Sequence, residues 1–157
     1  MRAWWRAAVL AGVCAVSAAR AQSPGYLELT VTALGAGAAA LGASGESRMP
    51  VRPSDFTDHL GTLALHARGS RGSVRDVVLE VPATSAGERV QAGSGATLRF
   101  TFASGQVMSP RPGEGWINLT SWENGRAQGD YEATLVQGLM TLNLSGHFDS
   151  TEATEPR

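Results

Sequence analysis

An all-β fold, an antiparallel β-sandwich of about seven or eight strands ending in a three-stranded meander, is what this sequence predicts. Three observations predict it. Short segments alternate apolar and polar residues with period two. Clusters rich in Gly, Pro, Asn and Ser separate them. Residues 115–148 read as three strands whose turns and apolar rows agree in register. A small antiparallel β-barrel is the alternative, since an up-and-down meander can also close on itself.

In chain order, residues 1–21 read as a cleaved secretory signal peptide. Arg2 and Arg6 give a basic start, Ala7 to Ala19 is mostly small and apolar, and Ala19-Arg20-Ala21 offers a cleavage site. That apolar run is shorter than the about 20 residues a membrane span needs, so no transmembrane anchor is expected after cleavage. Cys14, the single cysteine, lies inside it and follows Val13, whereas a lipoprotein signal needs a small residue there. The chain from Gln22 is then free of thiol and disulfide chemistry. Residues 22–157 are expected to form one β domain, a normal size for a single core.

Tyr26 to Leu34 sets Leu27, Leu29 and Val31 against Glu28, Thr30 and Thr32, the pattern of a half-buried strand. Residues 35–58 are expected to be irregular. Their first part is nearly all Gly and Ala, a loop or weak edge strand, and Pro50 and Pro53 break the rest, with Phe56 plugging into the core. Thr62 to Ala67 and Arg75 to Val81 alternate again, the second stopped by Pro82. Arg89 to Gln91 suits a short strand, and Ala96 to Ala103 puts Leu98, Phe100 and Phe102 on one side. Pro110 and Pro112 stiffen the entry to the meander, and the polar tail 151–157 is expected to fray.

Within the meander, Ile117 and Leu119 face Tyr131 and Gly129 if Glu123-Asn124-Gly125 is a three-residue loop. A two-residue Asn124-Gly125 turn would instead put Ile117 opposite Glu132. A Gln137-Gly138 turn then pairs Leu135 with Met140, Ala133 with Leu142 and Tyr131 with Leu144. These registers place Trp116, Glu132 and Asn143 in one outward row. Asn118, Asp130 and Ser145 form the next, then Thr120, Gln128 and His147, then Trp122, Arg126 and Asp149.

Composition narrows the function. All 13 basic residues are arginine, and the formal charge is −1. Without Arg2, Arg6 and Arg20, ten arginines face fourteen acids, a sum of −4. That balance argues against nucleic-acid binding, which needs a basic surface. No hydrolase, metalloprotease or phosphate-loop motif occurs. His59, His66 and His147 match no metal spacing, so no metal and no cofactor is expected. Asp130 and Glu132 share a face like a glycosidase pair, but a flat sheet supplies no cleft around them. The chain is therefore not expected to be an enzyme.

The segments Gly61-Thr62-Leu63, Val77 to Val81, Gly115 to Thr120, Gly129 to Ala133 and Gly146-His147-Phe148-Asp149 together resemble those of small exported bacterial β-sandwich domains of unknown function. The resemblance spans about residues 60–149. It implies a β-sandwich and export, and transfers no catalytic residue.

Trp116 and Trp122 are the candidate ligand-binding residues, with Asn118, Arg126, Gln128 and Asn143 around them. Exposed indoles stack well on sugar rings or on a partner's apolar surface. The expected protein is an exported, non-enzymatic module of the periplasm or cell exterior. Its partner is an unknown ligand or envelope component. Glycan or envelope-polymer binding through the tryptophan face is one specific form. A barrel carrying a small hydrophobic ligand is another.

Overall fold

Period-two alternation assembles two antiparallel sheets that bury their apolar faces against each other. The computed structural model describes residues 25–35 and 44–150. The expectations for the leader, for residues 36–43 and for the tail from Thr151 lie outside them. The described residues form β1 (Gly25–Gly35), β2 (Gly45–Val51), β3 (Phe56–His59), β4 (Thr62–Arg68), β5 (Val74–Pro82) and β6 (Arg89–Gln91). They continue with β7 (Thr97–Phe102), β8 (Val107–Met108), β9 (Gly115–Glu123), β10 (Arg126–Gln137) and β11 (Met140–Asp149). One sheet runs β2-β1-β11-β10-β9-β6 and the other β3-β4-β5-β7-β8. The sheets share no strand, so the fold is a sandwich and not a barrel. The core is one cluster, with Leu27, Leu29, Leu142 and Leu144 of the first sheet facing Leu65, Val77, Leu79 and Phe100 of the second.

The strand count exceeds expectation mainly because residues 35–58 are not irregular throughout. Met49 and Val51 are buried, and β2 pairs with β1 along its length. Pro50 is tolerated because β2 is an edge strand, where a missing N–H breaks no sheet. A short 3-10 turn at Pro53–Asp55 then delivers Phe56, buried as expected, into β3.

Both meander turns differ from expectation, and the side chains explain why. Asn124-Gly125 is a two-residue turn, with Glu123 opposite Arg126 and both turn residues at positive φ, as a type I′ turn requires. Ile117 still meets Tyr131, and Leu119 still meets Gly129, because β9 bulges at Thr120. The bulge inserts one residue and restores the apolar register that the short turn alone would destroy. At the second turn the loop is Gly138-Leu139, not Gln137-Gly138, with Gly138 at φ 60, suiting a type II′ turn. The shift is two residues, so every side chain keeps its face while its partner changes. Leu135 meets Leu142, Ala133 meets Leu144, Tyr131 meets Gly146 and Phe148 meets Gly129.

Each large ring thus lies over a glycine instead of opposing another bulky residue. A methyl group at Gly129 would stand 2.6 Å from Phe148 Cζ, and one at Gly146 would stand 2.7 Å from the Tyr131 hydroxyl. Tyr131 also contacts Phe100 of the opposite sheet, with ring centroids 6.4 Å apart. Its hydroxyl donates to the Glu28 carbonyl at 2.8 Å, and burial pushes its pKa above the ordinary phenol range.

Candidate functional site

The outward positions of the six-stranded sheet are polar by the same alternation that makes the inward ones apolar. They form a row across the sheet. Arg48 on β2 pairs with Glu28 on β1, Asp130 on β10 pairs with both His147 on β11 and Asn118 on β9, and Asn118 pairs with Arg89 on β6. His147 Nδ1 donates to Asp130 Oδ1 at 2.9 Å. At each end of this row an arginine lies on an aromatic ring. Arg48 Cζ is 3.8 Å from the Tyr26 ring centroid, and Arg89 Cζ is 3.9 Å from that of Trp116. Tyr26 also borders His147, with centroids 6.2 Å apart. From strand and residue spacings the two capped rings stand about 20 Å apart on one face. Such stacks hold the guanidinium flat and leave its N–H edge free to hydrogen-bond outward.

A second cluster lies beside this row. Arg126 donates from Nε and a terminal nitrogen to the two Asp149 oxygens, and Gln128 Nε2 adds a third bond at 2.9 Å. Asp149 is not the exposed acid that its outward position suggests, being only 5% exposed beneath these partners. Burial alone would raise its pKa. The hydrogen bonds from Arg126 and Gln128, with the Arg126 charge, outweigh burial and hold the carboxyl below its ordinary value. The folded state therefore binds this proton less tightly than the unfolded chain. The resulting stabilisation is complete above the unfolded carboxylate pKa, about 4, and is lost as pH falls through the lower folded value. Arg126→Ala is accordingly expected to lower stability at neutral pH, with the gap to wild type closing below roughly pH 4. Urea midpoints for both proteins across the acid range check this. A gap independent of pH would show that Asp149 is not the coupled group.

Trp116, Asn118, Arg126 and Gln128 occupy the outer face as expected, but Trp122 does not. The bulge at Thr120 reverses the alternation beyond it, so Trp122 pairs with inward-facing Ala127 and packs against the core. Its ring meets Phe56 of the other sheet edge-on, with centroids 5.7 Å apart. Asn143 remains outward but falls in a different row from Trp116. Its partner on β10 is Thr134, whereas Glu132, opposite Trp116, faces Ser145. Tyr26, Arg48 and Arg89 are the face residues that sequence reasoning missed. The pairing of β1 with β2 brings Tyr26 and Arg48 to this face, and that of β6 with β9 brings Arg89; Pro50 in β2 concealed the first.

The histidines lie apart. His66 is hydrogen-bonded to Asp76 on the five-stranded sheet, while His147 bonds Asp130 on the six-stranded one. Among the described residues no Ser or Thr hydroxyl hydrogen-bonds to a histidine, and no group of three or more potential metal ligands occurs. Comparison with protein-family models, curated proteins and solved structures finds no match for this chain.

Proposed function

We propose that this chain is an exported, non-enzymatic β-sandwich module that binds a hydroxyl-rich envelope polymer across the outer face of its six-stranded sheet. The observation that carries this is the pair of arginine-capped rings, Tyr26 with Arg48 and Trp116 with Arg89, flanking the His147–Asp130–Asn118 centre. A face about 20 Å long, with flat platforms at its ends and alternating donors and acceptors between, matches an extended oligosaccharide better than a small molecule. The basic, apolar and small-residue order of residues 1–21 supports export. A hydrophobic carrier would need an enclosed barrel, and the two sheets pack on each other instead.

Affinity electrophoresis through gels containing soluble polysaccharides tests the proposal. Trp116→Ala is expected to weaken retention about five- to thirtyfold, in line with about 1–2 kcal/mol for one stacking platform. Trp122→Phe, altered beneath the sheet, should leave retention unchanged. Equal retention of wild type and Trp116→Ala on every polysaccharide would exclude this face as the binding surface.

A further inference from the structure

The geometry points to a second subsite, an arginine-lined cleft at the edge of the sandwich that takes the acidic groups of an anionic glycan. This deepens the proposed function and rests on it, since it specifies the class of polymer. The cleft, about 480 Å³, lies between β2 and the turn joining β4 to β5, and Arg48, Arg52, Arg68 and Arg71 line it. Glu46 is the single carboxylate in its lining. Four of the chain's 13 arginines thus border one recess of a protein whose formal charge is −1.

The fold holds these like charges together. The turn lies directly on β2, where a methyl group at Gly69 would come within 3.3 Å of Met49 Cγ. Gly69 N–H donates to the Arg75 carbonyl at 2.9 Å, and the Arg75 guanidinium bonds the Ser70 carbonyl. The turn carrying Arg71 is therefore pinned against the strand carrying Arg48 and preceding Arg52. The local acids compensate this charge only in part. Arg48 approaches Glu28 at 3.8 Å and Arg68 approaches Asp76 at 4.0 Å, both loose and solvent-screened. Arg52 and Arg71 have no ion-pair partner among the described residues. Arg68 also contacts the His66 ring, so Arg52 and Arg71 are the arginines of this lining whose forks are open to carboxylate or sulfate groups, which a guanidinium can bind through paired hydrogen bonds.

Arg48 decides the source of those groups. It lines the cleft and also lies on the Tyr26 ring at the end of the polar row, so one polymer chain can run from the face into the cleft. A nucleic-acid backbone or an anionic membrane presents charge continuously and needs a long or wide basic surface. Here the arginines border one recess, and the adjoining face carries Glu28, Asp130, Glu132 and Asp149. That suits a glycan whose neutral, hydroxyl-bearing sugars lie on the face while its acidic groups reach only the cleft.

Isothermal titration of the full chain with partially methyl-esterified polygalacturonate, whose free carboxylates are spaced by neutral sugars, at low and at physiological salt, tests the inference. Wild type is expected to bind, more tightly at low salt. Arg52→Ala with Arg71→Ala should weaken binding at least tenfold and flatten its salt dependence, with thermal stability unchanged. Arg71→Ala alone, in the exposed turn, should show a smaller loss in the same direction and serves if the double variant fails to fold. Absence of polygalacturonate binding at low salt would overturn the inference. So would unchanged affinity in the double variant, or capture of duplex DNA or anionic vesicles through these arginines in preference to the glycan. Neutral polysaccharide bound with full dependence on Trp116 and none on Arg52 and Arg71 would sink the cleft and leave the face standing. Loss of Trp116 dependence alone would do the reverse.

Discussion

Among the described residues, Gly146→Ala is expected to be the most damaging glycine-to-alanine substitution, lowering stability by about 3 kcal/mol or more. The added carbon would stand 1.8 Å from the Glu28 carbonyl oxygen and 2.7 Å from the Tyr131 hydroxyl. The first obstacle is backbone of the neighbouring strand β1, which cannot rotate aside. The second is a fully buried ring whose hydroxyl is already bonded to that same carbonyl. Relief requires separating β1 from β11 or expelling Tyr131, and either opens the core. In thermal unfolding the midpoint should fall by roughly 10 °C. A loss under about 1 kcal/mol would mean that Tyr131 does not lie over Gly146, and with it the β10–β11 register would fail.

Leu144→Ala is expected to destabilise by about 2–5 kcal/mol, the usual penalty for emptying a buried leucine site. Leu144 has no exposed surface and stands between Ala133 on β10 and Val31 on β1. Both partners are too small to collapse into the space, which favours the upper half of that range. Asn143→Ala, one residue away on the outer face, should change stability by no more than about 0.5 kcal/mol. Chemical denaturation of the two variants side by side reads out the alternation directly. Similar losses would contradict the assignment of β11's inward face.

Alternation made most of the fold legible in the sequence. The inward residues of β1, β4, β7, β10 and β11, and those of β5 from Val77 onward, follow from period two alone, and Pro82 marks the end of β5. What period two does not carry is the identity of cross-strand partners. A two-residue slide at Gly138-Leu139 leaves every face intact, so only the bulk of Tyr131 and Phe148 against Gly146 and Gly129 distinguishes the true register. The bulge at Thr120 is hidden for a related reason. It compensates the short Asn124-Gly125 turn, and a longer loop without a bulge gives the same pairs at Ile117 and Leu119. The two solutions differ only beyond the bulge, at Trp122, which is why one of the two candidate tryptophans turns inward. Trp116 lies before the bulge, and its outward position was readable. The arginine cleft was not readable, because Arg52 and Arg71 are 19 positions apart and meet only through the packing of a turn on an edge strand.

Indole N–H resonances of the protein titrated with partially methyl-esterified polygalacturonate test the binding face most directly. The Trp116 indole, with the backbone amides of Asn118 and His147, is expected to shift progressively and saturate, while the Trp122 indole stays in place beneath the sheet. Shifts confined to Trp122 or to the outer face of the five-stranded sheet would contradict this, as would a spectrum unchanged by a polymer the protein demonstrably binds.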